Sequence, residues 1–297
     1  MKTFTPKELP IPQLHGLLLG AVGPRPIAFA STIDNDGNPN LSPFSFFNVF
    51  SANPPILIFS PARRGRDNTT KHTYENVKVH PEVVINVVNE DIMQQASLSS
   101  TEYAEGVNEF EKAGLTMLES EIVKPFRVKE SPVQMECKVI EVKELGDQGG
   151  AGNLVICEVV KLHVNENILD ENGKIDQHKI KLVGRMGGNW YSKGFDNALF
   201  EIEKPLTTLG IGVDKIPSDI RLSTVLTGNN LGQLGNVEKL PDETAVNEYR
   251  LTELSEIFMD LEDDAKELEL TLHRKAQKLL ADNNVSEAWL TLLSFNN

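Results

Sequence analysis

Arg25-Pro26-Ile27-Ala28-Phe29-Ala30-Ser31-Thr32-Ile33, then Asp34-Asn35-Asp36-Gly37-Asn38, then Pro39-Asn40-Leu41-Ser42-Pro43-Phe44-Ser45-Phe46-Phe47-Asn48, is the stretch on which the fold turns. Two short apolar segments flank a polar loop whose glycine supplies the positive φ of a hairpin turn, so Pro26 to Ile33 and Pro39 to Asn48 read as paired antiparallel strands. Pro55 to Ser60 and Glu82 to Val88 are further compact strands, and Thr69 to Val79 between them reads as a short helix stopped by His80-Pro81.

Beyond this block the pattern stays β-rich as far as residue 195. Ile92 to Ser99 and Val107 to Ala113 are helical candidates in a polar crossover. Val133 to Leu145 and Leu154 to Val164 form a long pair around the glycine-rich loop Gly146 to Gly152, and Ile180 to Arg185 is a last strand. Short strands with only one or two crossover helices predict a mainly β, α+β fold built on an antiparallel barrel rather than a doubly wound parallel sheet.

The remainder differs. Residues 201–241, rich in Gly and Pro, read as an irregular arm or lid. Residues 242–297 read as a helical tail in which Leu251, Leu254, Phe258, Leu261, Ala265, Leu268 and Leu272 make a narrow apolar seam that needs a partner helix. Asp282-Asn283-Asn284 breaks the tail, and Ser286 is read as the cap of a final helix.

Composition narrows the function classes. At 297 residues and 40% hydrophobic content the chain can bury a sizeable core, and a net charge of −14 disfavours nucleic acid and anionic membrane surfaces. Two cysteines inside apolar segments, with no signal peptide and no spanning segment, point to the cytoplasm. No histidine has a partner at metal-ligand spacing, so no metal site is expected, and neither a dinucleotide fingerprint nor a Walker loop is present.

Two stretches carry chemistry. Ser31, Ser45 and Asn48 set small polar groups beside Phe46 and Phe47, a combination suited to a flat heteroaromatic ring, though the same pattern also describes an ordinary core strand. Ser60 to Thr73 gathers Arg63, Arg64, Arg66 and Lys71 in an otherwise acidic chain. That reversal of sign fits a seat for one phosphate dianion at the start of the following helix, and equally a solvated basic loop with Thr69 or Thr70 as an N-cap.

Taken in order, Arg25-Pro26-Ile27-Ala28, Ser31-Thr32, Asn40 to Asn48, Pro54-Pro55, Lys71-His72-Thr73 and Asn76 resemble the flavin-reductase-like family over about residues 15–195. The resemblance implies an FMN-binding split β-barrel over residues 1–200, assembled as a homodimer. It implies non-covalent FMN, with Ser31, Thr32 and Ser45, Phe46, Phe47 and Asn48 along the ring and ribityl chain. Ser60, Arg63 or Arg66, Lys71 and Thr73 would hold the phosphate, with Asn76, Arg185 and Trp190 nearby. It implies NADH or NADPH as electron donor and a small-molecule acceptor, or alternatively an FMN-binding, flavoredoxin-like electron carrier serving protein partners. His178 is the one histidine placed to approach a nicotinamide, and the chemistry requires no acid or base. His72 departs from the acidic residue common in relatives.

Overall fold

A computed structural model describes residues 1–202 and 204–296 of the chain. It has two compact units, Met1–Phe200 and Glu201–Asn297.

In the first unit the hairpin forms as its loop chemistry requires. Asp34 accepts N–H bonds from Asp36 at 2.9 Å and Asn38 at 2.8 Å, and Gly37 adopts a φ of 83°. The hairpin joins β1 (Ala28–Ile33) to β2 (Pro39–Phe44), pairing Ala30 with Ser42 and Ser31 with Leu41. Pro39 to Asn48 is not one strand, however. The chain leaves β2 at Phe44, crosses Ser45 and Phe46, and begins β3 (Phe47–Ala52), which turns back into β4 (Pro55–Phe59). With β5 (Glu82–Val87) and the long pair β8 (Val133–Glu144) and β9 (Asn153–Val164), these strands form one antiparallel sheet in the order β2-β1-β5-β8-β9-β4-β3.

That order explains the shape. The two edge strands, β2 and β3, are consecutive in sequence and separated by two residues, a link that spans only about 10 Å. The sheet must therefore curl until its edges almost meet, which makes a barrel with a slit between β2 and β3. Ala28, Ala30, Phe44, Leu57, Phe59, Val83, Ile85, Cys137, Val155 and Cys157, from six strands, pack together as the barrel interior, and Val77 of α2 (His72–Val79) joins them. Both cysteines are buried free thiols.

β1 is buried along its whole length because its other face is covered too. Phe29 and Leu41 pack against the crossover, which carries α3 (Met93–Leu98), α4 (Glu109–Ala113) and the short pair β6 (Met117–Leu118) and β7 (Arg127–Val128). The last strand, β10 (Leu182–Arg185), follows the short helix α5 (Gln177–Ile180) and pairs with β11 (Tyr191–Gly194). At the other end, α1 (Ile11–Ala21) contains no buried residue.

The second unit departs from the expected arm and tail. Residues 201–241 contain α6 (Ser218–Arg221) and α7 (Gly228–Gly235), and Thr227 and Asn230 close a capping box at the start of α7. The seam is three helices, α8 (Glu243–Glu253), α9 (Ser255–Asp260) and α10 (Ala265–Ala281). The breaks fall at Leu254 and at Leu261 to Asp264, where the Asp264 side chain caps a new helix by accepting from Glu267 N at 3.0 Å. Bent there, the seam finds its partner within the chain: Leu254, Leu268 and Leu272 pack with Tyr249, Phe258 and Phe295. The last helix, α11 (Val285–Leu293), is capped by Asn284 rather than Ser286. Its Trp289 packs with Ile216, Ile220 and Leu234, so the stretch expected as an irregular arm shares one core with the tail.

Candidate functional site

The basic loop after β4 is exposed from Gly65 to Thr69 and is closed by its own hydrogen bonds. Arg63 N donates to Ala151 O at 2.8 Å and Gly150 N to Arg63 O at 3.0 Å, so the glycine-rich loop is its backing. A Cβ on Gly149 would stand 3.0 Å from the Arg64 carbonyl, and one on Gly152 3.0 Å from Ser60 Oγ. At Gly149 the two loops touch backbone to backbone, so a side chain there would push them apart, whereas at Gly152 the near atoms are the Ser60 and Leu145 side chains. Within the basic loop Asp67 accepts from the Thr69 hydroxyl at 2.7 Å and the Thr69 N–H at 3.0 Å. Those bonds, with Arg66, hold the carboxyl far below the usual range. Arg64 donates to Thr69 Oγ1 at 3.0 Å and to the Thr70 carbonyl. The Thr69 side chain is thus spent on closing the loop and the Thr70 hydroxyl donates to Glu75, so neither threonine caps α2, which starts at His72.

Beside this loop lies an open cleft lined by Asn40 and Ser42 of β2, Arg64, Lys71, His72, Thr73, Ser99 to Tyr103 and Glu109. Its floor is a buried network. Asn40 Nδ2 donates to Thr32 Oγ1 at 3.2 Å and to Thr73 Oγ1 at 2.9 Å, and Asn76 Nδ2 donates to Thr32 Oγ1 at 3.1 Å. These bonds lock β1, β2 and α2 together and leave the Thr73 hydroxyl proton free to donate. Burial and the neighbouring Arg64 push the Lys71 ammonium below its ordinary pKa, while Glu102, 3.9 Å away, opposes the shift. Glu109 accepts from Leu41 N at 3.0 Å; its burial raises the carboxyl pKa against the opposing pull of that N–H and of His72.

The structure sorts the expected site residues into three groups. Lys71 and Thr73 line the cleft, and Asn76 supports its floor. Ser31 and Thr32 expose no surface, so neither is a direct contact; Thr32 anchors the floor, and the Ser31 hydroxyl is buried without a partner. Ser60 is also a support, accepting from Asn153 N at 3.1 Å. Arg63 turns to Asn68 at 2.9 Å, and it is Arg64 that lines the cleft, with Arg66 more exposed on the far side of Glu102.

Ser45, Phe46, Phe47 and Asn48 form a second cluster at the barrel slit. Phe46 is exposed, its ring edge-on to His15 at 6.3 Å, and Asn48 faces solvent. Arg25 fixes this end: its guanidinium donates to Leu19 O at 2.8 Å and Met186 O at 2.9 Å and reaches Ser45 Oγ at 3.5 Å, while its backbone exchanges hydrogen bonds with Arg185. Arg185 lies over the Tyr191 ring at 4.7 Å, and Trp190 is exposed. Cleft and slit are joined by the end of β2: Ser42 on the strand and Ser45 just past it are three residues apart, about 10 Å of extended chain. His178 lines neither; its ring accepts from Asp196 N at 3.2 Å.

Three charged cleft residues escaped the sequence reading. Arg64 could not be told from its basic neighbours, and Glu102 and Glu109 lie in a crossover whose path over the barrel no local pattern records. Among the described residues no group of three His, Cys, Asp or Glu could hold a metal ion, and no helix is long and apolar enough to cross a membrane.

The donor set fits a phosphate monoester: two cations and a hydroxyl converge in one cleft, and an aromatic surface lies one strand-length away at the slit. Comparison with known proteins places the chain among relatives. The family described as Flavin reductase like domain matches residues 21–181. An Aquifex aeolicus protein without an assigned function is 40% identical over 199 residues, which is 67% of this chain and 99% of that protein. Nitrilotriacetate monooxygenase component B from Bacillus cereus has a similar solved structure, with a TM-score of 0.64 and 30% identity, covering 68% of this chain and 98% of its own. A candidate flavin reductase with a split barrel domain from Shewanella frigidimarina gives a TM-score of 0.57 at 28% identity, covering 68% of this chain and 100% of its own.

Proposed function

The chain belongs to the flavin reductase like family, and from that premise we propose that it is an FMN-dependent oxidoreductase that takes electrons from NADH or NADPH and passes them to a flavin or another small acceptor. The observation that carries this reading is the convergence of Arg64, Lys71 and Thr73 on one cleft of a strongly acidic chain.

FMN, when bound, supplies the electron-accepting ring; the protein's share is position and charge. Lys71 and Arg64 hold the phosphate by charge-assisted hydrogen bonds, and Thr73 adds a hydroxyl oriented by Asn40. Ser45 and Asn48 offer polar contacts to the ring edge and Phe46 an apolar face. Arg25 keeps that end in place through α1 and the residue after β10. Because no side chain has to move a proton to a reacting atom, the position of His178 outside the cleft is consistent with the reading.

We further propose a homodimer. An apolar α1 that buries nothing, together with exposed Phe46, Val49 and Phe50 on and beside β3, leaves a surface that a second copy would cover. Buried free thiols at Cys137 and Cys157 favour a cytoplasmic location.

The test is direct. Purified protein titrated with FMN should quench flavin fluorescence and turn yellow, and anaerobic NADH or NADPH should then bleach the flavin within seconds. No binding of FMN would overturn the reading. Binding without bleaching by either donor would favour an electron carrier serving protein partners.

A further inference from the structure

The cations of the cleft are not waiting on solvent. Glu102, from the crossover between α3 and α4, reaches into them: its carboxylate accepts from Arg64 Nε at 3.1 Å and from Arg66, and lies 3.9 Å from Lys71 Nζ. Burial works to raise its pKa, and the two arginines outweigh that and hold it below the ordinary value.

One carboxylate on three cations is the arrangement a phosphate monoester would make with the same groups. We propose that Glu102 is a built-in competitor for the phosphate seat, so that phosphate binding displaces Glu102 and releases the Ser99 to Gly106 segment from the basic loop. The inference rests on the flavin phosphate reading of this cleft.

The segment is suited to such exchange. Between Thr101 and Val107 its internal backbone bonds are Tyr103 N to Thr101 O and Val107 N to Ala104 O, and Gly106 stands at a φ of 81°. Its ends are fixed more firmly. Ser99 N bonds Gln95 O at 3.0 Å, and Asn108 caps α4 by accepting from Phe110 N at 3.0 Å. Glu102 is therefore the tie by which the middle of the segment is held to the basic loop, and Tyr103 beside it lines the cleft. Charge balance gives the direction: with Glu102 in place the seat is partly neutralised, and a dianion must replace one carboxylate before it gains Arg64 and Lys71, the two cations that line the cleft.

The experiment compares the full-length chain with Glu102→Gln in two readouts. In the first, FMN and riboflavin are titrated by fluorescence quenching. The expected result is FMN binding about tenfold tighter in the variant, with riboflavin, which lacks the phosphate, unchanged. FMN affinity that is equal or weaker in the variant overturns the proposal, since Glu102 would then support the cations rather than compete for them.

The second readout needs no flavin: chymotrypsin cleavage after Tyr103, followed by mass spectrometry. Inorganic phosphate should speed cleavage severalfold in the wild-type protein, and Glu102→Gln should be cut at the faster rate without it. Cleavage unaffected by phosphate and by the substitution overturns the proposal even where FMN binds. If neither protein binds FMN yet both cleavage effects appear, the displaceable carboxylate stands and the flavin reading falls.

Discussion

The first unit gathers donors around a carboxylate in two places, and it does so with opposite materials. Glu136, on β8, is fully buried and accepts three successive backbone N–H bonds, from Glu121 at 2.9 Å, Ile122 at 2.6 Å and Val123 at 3.0 Å, with His163 Nε2 at 2.7 Å. Glu102 is held by the ends of three long side chains and is about one-third exposed. Backbone donors fixed by strand and turn geometry need no reordering, whereas guanidinium and ammonium groups on flexible stems can hand one anion over for another. The same electrostatics thus makes a permanent brace in one region and an exchangeable seat in the other.

The comparison can be broken most forcefully at the brace. Burial works to raise the Glu136 carboxyl, but the Glu121 N–H, His163 and the next two N–H groups outweigh it and bring the pKa to about 2. A folded value below the ordinary 4.5 means stability that is fully present above about pH 4.5 and lost as pH falls toward 2. Glu136→Gln should therefore cost on the order of 2–3 kcal/mol at neutral pH, read by urea denaturation, and should flatten the acid limb between those two pH values. FMN affinity should not change. A variant as stable as wild type would mean that the N–H groups find other partners and that the brace is not one.

The seat is the next point to press. Lys71→Ala should weaken FMN about tenfold and leave a shallower salt dependence, because one phosphate contact is gone, while riboflavin affinity and thermal stability stay put. Arg66→Ala should have the smallest effect, about twofold, since its guanidinium is two-thirds exposed and spends itself on Asp67 as well as Glu102. Equal losses from Lys71 and Arg66 would contradict the ranking by burial on which the seat is drawn.

What could be read from sequence followed local chemistry. The Asp34 to Asn38 loop, the β8 and β9 pair and the basic loop announce themselves through turn residues, alternation and charge. The division of Pro39 to Asn48 does not, because an apolar strand that changes sheet edges at Ser45 and Phe46 keeps the same alternation on both sides. The C-terminal seam misleads for a related reason: its apolar spacing runs unbroken through Leu254 and Leu261, and only Asp264 as a cap reveals the new helix. Ser31 and Thr32 carry the right chemistry in a strand buried on both faces, where Thr32 braces the site from beneath and the Ser31 hydroxyl meets no partner. Glu102, Glu109 and Glu136 each meet donors 13 to 68 residues away, a distance over which spacing carries no information.

The two residues between β2 and β3 bear on how such a chain can change over time. Other connections can lengthen outward: the Asp34 to Asn38 loop is an exposed hairpin turn, and the crossover already runs across the barrel surface. Ser45 and Phe46 cannot, because every residue added there would slacken the closure that keeps the two sheet edges together and would carry Phe46 away from β2. Insertions elsewhere should alter what the protein meets; an insertion here should alter whether there is a barrel to meet it.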